Sequence, residues 1–111
     1  MNDGEVCLTG TPASRGKYKG PCRVITRLED AEFINKGEIL ITISTDIGWS
    51  PYFPLLGGVV TELGGLISHG AVVAREYGLP CIVGVQMATS KLASGDILVI
   101  DGFRGTITKS D

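Results

Sequence analysis

A chain of 111 residues with a formal charge of −2, 43% hydrophobic and 20% charged residues, is long enough for one modest core and has a globular balance. That charge offers no basic face on which to expect nucleic acid or an anionic membrane, and no apolar run approaches a membrane span. Sixteen glycines predict many turns, and therefore short strands rather than a helical bundle.

The first residues have neither the basic nor the apolar stretch of a secretory signal, so a cytoplasmic protein is expected. Cys7, Cys22 and Cys81 are odd in number and irregularly spaced, without a CxxC pair or companion histidines. They are expected to be small reduced core residues, with neither a metal site nor a disulfide framework.

In chain order, Glu5 to Thr9 alternates weakly and predicts an edge strand. Gly10 to Gly16 has too many breakers for regular structure. Gly20 to Arg27 alternates Cys22, Val24 and Thr26 against Ile25 and predicts a strand. Leu28 to Lys36 predicts a brief helix ended by Gly37. Ile39-Leu40-Ile41-Thr42-Ile43 is a buried strand.

Thr45-Asp46-Ile47-Gly48-Trp49-Ser50-Pro51 leaves that strand as a loop, a place where side chains are often functional because the strand fixes them. Ser50 is suited to cap a short helix with Pro51 at its first position, running through Tyr52, Phe53, Leu55 and Leu56. Trp49 fits either packing or a site. Gly57-Gly58 breaks the chain before the buried strand Val59-Val60-Thr61.

Gly64-Gly65-Leu66-Ile67-Ser68-His69 follows, with the only histidine of the chain. The glycine pair predicts a tight turn, and Ser68 an N-cap whose hydroxyl accepts from the first helical turn. Gly78 fits the left-handed C′ position and Pro80 prevents resumption. Gly70, Val73, Ala74 and Tyr77 share one face at helical spacing, which predicts their burial. Cys81 to Gly84 is a further buried strand, so strand, turn, helix and strand place His69 near a strand's C-terminal end. Met87 to Leu92 predicts a short helix. Ile97 to Ile100 and Thr106 to Thr108 make a hairpin, with Asp96 and Asp101 assigned to turns.

His69 is left beside amides that have no intrahelical partner, at the positive end of the helix. An imidazole can accept a phosphoryl group and pass it on, and a helix start is a natural anion site. Gly70 would leave room for phosphate oxygens. A surface or capping role also fits a lone histidine here.

The stretch from Gly64 to Pro80 resembles the phosphohistidine site of the phosphoenolpyruvate-utilising enzymes. Their pattern is Gly-Gly, two residues, Ser/Thr/Cys-His, a small-and-aliphatic helix with Ala-Arg, then Gly-Ile/Leu-Pro. Here Gly64-Gly65, Ser68-His69, Ala74-Arg75 and Gly78-Leu79-Pro80 match it. Gly10-x-Pro12-Ala13-Ser14-x-Gly16 and the glycine-bounded hairpin also look like that family's mobile domain, so the resemblance runs from about Gly10 onward. Ile67 stands where many members have Thr, and Gly70 where many have Ser, Thr or Ala. The variant looks most like the rifampicin phosphotransferase branch and its phosphoenolpyruvate synthase-like relatives.

The resemblance implies an α/β fold, the swivelling β/β/α phosphohistidine domain, spanning residues 1–111 as one domain of a larger enzyme. It implies that His69 is transiently phosphorylated, with Gly64, Gly65, Ser68, Gly70 and Ala71 as the phosphate cradle. Thr45, Asp46, Thr61 and Arg75 are candidates to orient the ring or meet a partner; for Arg75 a salt bridge is equally open. An ATP-grasp domain with ATP and Mg would load the histidine, and an acceptor domain would present pyruvate, phosphoenolpyruvate or a rifamycin-type hydroxyl. No cofactor or metal is expected in this domain, which is part of a phosphotransferase and not catalytic alone. A stand-alone carrier acting in trans, and a noncatalytic domain that has lost phosphorylation, are the alternative readings.

Overall fold

The computed structural model describes residues 6–110, and its longest strand joins two differently built halves. The strands are β1 (Val6–Thr9), β2 (Thr11–Ser14), β3 (Lys17–Val24), β4 (Ile39–Thr42), β5 (Gly58–Thr61), β6 (Cys81–Val83), β7 (Ile97–Asp101) and β8 (Thr106–Ser110). They run in the order β1-β8-β7-β3-β4-β5-β6-β2. The first half of β3, Lys17 to Pro21, pairs antiparallel with β7; its second half, Cys22 to Val24, pairs parallel with β4. Beyond that, β4–β5 and β5–β6 are parallel, while β7–β8, β8–β1 and β6–β2 are antiparallel.

The buried run of β4 has a simple cause, because both faces of the parallel strands are covered. Leu40, Val59, Cys81 and Val83 pack with Trp49, Phe53, Ala71 and Ala74 on one side. Ile39, Ile41, Val60 and Ile82 pack with Leu98, Ile100 and Ile107 on the other. The antiparallel strands therefore fold over one face of the parallel strands, and helix α1 (His69–Tyr77) covers the opposite face. This is the expected α/β arrangement in three layers, β/β/α.

Several expectations change. Thr11–Ser14 is a strand, because Pro12 lies at the sheet's edge, where the missing N–H costs no ladder bond; its one partner is β6. The segments Leu28–Phe33 and Ile47–Leu55 are 3-10 helices. Pro51 and Pro54 inside the second one remove the amides a regular α-helix would use. Asp46, not Ser50, caps that segment, its Oδ1 accepting from the Gly48 amide at 2.9 Å. Cys22 and Cys81 are buried but Cys7 is exposed. The predicted helix near Met87 is α2 (Ala88–Lys91), and the edge strand's Glu5 lies outside the described residues.

The turn aspartates act as expected. Asp101 Oδ1 accepts from the amides of Phe103 at 2.8 Å and Arg104 at 3.1 Å, and Asp96 Oδ2 accepts from the Ala93 amide at 3.0 Å. Burial alone would raise the Asp101 carboxyl, but those two amides, with the Lys17 and Arg104 charges, hold it below its usual range.

Candidate functional site

The site begins at the ends of two neighbouring parallel strands. After β5, Glu62 and Leu63 continue beside the β4 exit through amide bonds to Thr42 and Ile43 carbonyls, at 3.1 and 2.8 Å. The chain then turns back at Gly64-Gly65, where the Ser68 amide reaches the Gly65 carbonyl at 3.1 Å. The Ser68 hydroxyl donates to that same carbonyl at 2.7 Å. Its oxygen closes the turn and does not cap the helix, which corrects the expected role. Ser68 is still the residue where α1 starts, since its carbonyl accepts from Val72 at 3.0 Å, and no side chain caps the first turn.

The other end of α1 follows the prediction. Gly78 adopts φ 71°, a left-handed conformation that a side chain would strain, and the Leu79 amide closes on the Ala74 carbonyl at 2.8 Å. The buried face is Gly70, Ala71 and Ala74, with Val73 half-buried. Tyr77, the last residue of α1, is exposed, contrary to expectation.

His69 is half-buried and gripped from two sides. Thr45 Oγ1, just beyond the β4 exit, lies 2.9 Å from Nδ1. Ser50 Oγ, from the 3-10 segment, lies 3.2 Å from Nε2. The buried Phe53 meets the ring edge-on, with centroids 5.8 Å apart and planes at 87°. Thr45 reaches the ring because residue 70 is glycine: a Cβ there would stand 2.9 Å from Thr45 Oγ1. The space expected for phosphate oxygens above Gly70 is thus occupied by the Thr45 hydroxyl.

The other candidates divide. Asp46 is exposed and committed to its Gly48 bond. Thr61 is buried beside Gly70, and its Oγ1 has no hydrogen-bond partner among the described residues. Arg75 forms no salt bridge among the described residues. Its Nε donates to the Ala13 carbonyl at 2.8 Å and its Nη2 to the Leu66 carbonyl, tying the turn before His69 to β2. Ser50 and Phe53 were not recognised as site residues. The readable signal was a second hydroxyl five positions after Thr45 in the same strand-exit loop, which the capping pattern obscured.

The two loops beside the histidine expose Leu63, Leu66, Ile67 and Ile47, together with Asp46. Two open grooves of about 470 Å³ lie elsewhere, one along Ala13, Ser14, Arg75 and Gly102, the other along Thr9, Gln86 and Lys91. Burial pushes the Cys81 thiol up to about 12, and burial with the Asp96 charge pushes Cys22 up to about 11. Neither supplies a thiolate nucleophile near neutral pH. Among the described residues, no group of three or more His, Cys, Asp or Glu is placed to hold a metal ion, and no helix is long and apolar enough to cross a membrane.

Residues 34–105 match the family model described as the PEP-utilising enzyme, mobile domain. The chain is 48% identical over 100 residues to rifampicin phosphotransferase of Bacillus cereus, a match covering 90% of this chain and 11% of that protein. It is 42% identical over 106 residues to phosphoenolpyruvate synthase of Aeropyrum pernix, covering 95% of this chain and 13% of that one. The chain thus spans about a tenth of the length of these relatives. Among solved structures, Thermococcus kodakaraensis aconitase X (holo-form) superposes with TM-score 0.73 at 20% identity, covering 94% of this chain and 98% of that one. That likeness concerns the fold alone.

Proposed function

The chain belongs to the mobile-domain family of PEP-utilising enzymes, and from that premise we propose that it is a phosphoryl carrier whose acceptor is His69. One observation carries the reading: the histidine heads an uncapped helix with a hydroxyl at each ring nitrogen. Nδ1 is held by Thr45 at 2.9 Å, its Oγ1 seated against Gly70, while Ser50 stands farther from Nε2 at 3.2 Å, so in this reading the nitrogen that reacts is Nε2.

For attack, the neutral ring carries its proton on Nδ1, donated to Thr45, and keeps a lone pair on Nε2. That lone pair forms the N–P bond while the P–O bond of the donor breaks and its electron pair leaves with the donor oxygen. In the second half, an acceptor oxygen attacks phosphorus and the N–P electron pair returns to Nε2. The helix start places positive potential beside the phosphoryl oxygens throughout.

The donor and acceptor sites belong to other domains in this reading. An ATP-grasp domain holding ATP and Mg loads His69, and a further domain presents pyruvate, phosphoenolpyruvate or a rifamycin-type hydroxyl. The apolar rim of Ile47, Leu63, Leu66 and Ile67 suits repeated docking against such partners.

The test is phosphoryl uptake from labelled ATP in the presence of the ATP-grasp domain, with wild type beside His69→Ala. Acid-labile, base-stable label on wild type alone is the expected result. Absence of label, with the ATP-grasp domain active on another carrier, would favour a noncatalytic domain.

A further inference from the structure

The two hydroxyls on the His69 ring are not equivalent. A neutral imidazole has one N–H and one lone pair, so one hydroxyl accepts and the other donates. With the proton on Nδ1, Thr45 is the acceptor at 2.9 Å and Ser50 donates at 3.2 Å into the lone pair of Nε2. That lone pair is the one that must bond to phosphorus. An oxygen at 3.2 Å from Nε2 occupies the volume into which the phosphoryl group must come.

Thr45 Oγ1 packs against the backbone of Gly70, in space that a Cβ at residue 70 would need. The backbone at Ser50 is also fixed, between the buried Trp49, whose amide bonds the Asp46 carbonyl at 2.9 Å, and Pro51. The Ser50 side chain, however, is half-buried and turns about a single bond between staggered positions. Its hydroxyl can leave Nε2 without moving the loop. A phosphoryl oxygen, being charged, is then a better acceptor than the imidazole nitrogen it left.

We propose that Ser50 is a positioning residue that changes partner during the transfer. Its hydroxyl donates to Nε2 while the ring is unloaded, gives way as the N–P bond forms, and then donates to an oxygen of the phosphoryl group on that nitrogen. No proton is transferred by Ser50. The inference rests on the reading of His69 as the phosphoryl acceptor and adds a device that holds the unloaded ring and protects the loaded one.

The experiment uses the 111-residue chain with phosphoramidate as a small-molecule phosphoryl donor, so that no partner domain is required. Phosphohistidine lifetime is followed by 31P NMR, and the unloaded ring by 15N shifts of labelled histidine. Ser50→Ala is expected to shorten the lifetime about tenfold, the loss of one hydrogen bond to a charged group. It should also move the Nε2 signal more than the Nδ1 signal. Ser50→Thr should restore both, which a merely structural role would not require. A Ser50→Cys variant, a weaker donor of similar shape, should fall between and keeps the test informative if Ser50→Ala does not fold. Equal lifetimes for wild type, Ser50→Ala and Ser50→Cys overturn the role of Ser50 while leaving His69 as the acceptor. No phosphate on wild-type His69 overturns the carrier reading itself.

Discussion

The antiparallel and parallel halves are made of similar aliphatic strands, yet only one of them gathers chemistry. In the β7–β8 hairpin, successive strands leave at opposite edges, so Asp101 is spent on the amides of its own turn, Phe103 and Arg104, and on Lys17 of the paired strand β3. Parallel β4 and β5 leave at the same edge. Thr45 therefore meets His69 across 24 residues of sequence, and Ser50 meets it across 19. Strand direction decides which loops can share a site, the reason α/β proteins place ligands at the carboxyl ends of their strands.

That contrast can be broken by substitutions that cost stability in both halves but function in one. Phe53→Ala removes a buried ring from under the imidazole and is expected to lower stability by about 3–5 kcal/mol. Phosphoryl uptake per folded molecule should also fall, roughly tenfold, as the ring loses its support. Leu98→Ala in the antiparallel half should cost about 2–5 kcal/mol in urea unfolding, yet leave uptake per folded molecule unchanged. If uptake falls as steeply as for Phe53→Ala, the halves are not functionally separate.

A smaller effect concerns the seam between them. Arg23 donates to Glu38 through Nε at 3.0 Å and Nη2 at 2.9 Å, and the Asn35 amide adds a bond at 2.7 Å. Burial alone would raise the Glu38 carboxyl, but these bonds and the Arg23 charge outweigh it and hold the carboxyl below 4.5. A depressed folded pKa contributes stability that is complete above the unfolded value and is lost as pH falls through the folded one. Glu38→Gln should therefore cost about 1–2 kcal/mol at pH 7 and flatten the acid limb of a stability–pH profile below 4.5. An unchanged acid limb would remove Glu38 from the account.

Least in magnitude is Gly70→Ala. The added Cβ would come within 2.9 Å of Thr45 Oγ1, so the hydroxyl must shift from Nδ1. Uptake should slow a few-fold, while the gain in helix propensity, up to about 1 kcal/mol, keeps stability near wild type. Paired 15N shifts of His69 would detect the displaced Thr45 directly.

Much of this was legible in the sequence, for identifiable reasons. The α1 boundaries follow from Ser68 and Gly78, and the buried strands from short runs of mostly β-branched residues. What was hidden depends on competition between partners. Ser68 has the chemistry of a helix cap, but the Gly65 carbonyl is nearer to hand once the glycine turn closes. Ser50 before Pro51 also reads as a cap, and only the 3-10 path through two prolines turns it towards His69. Arg75 invites a carboxylate or phosphate partner, yet two backbone carbonyls claim it. Thr11–Ser14 looks too broken for a strand because Pro12 hides an edge position.

The most direct measurement follows from His69 being the one histidine in the chain, so that 15N-histidine labels a single ring. After loading, the account predicts a one-bond 31P–15N coupling at Nε2 of His69, with Nδ1 uncoupled and its environment still set by Thr45. Coupling at Nδ1, or phosphate retained with no coupling to either ring nitrogen, would contradict it.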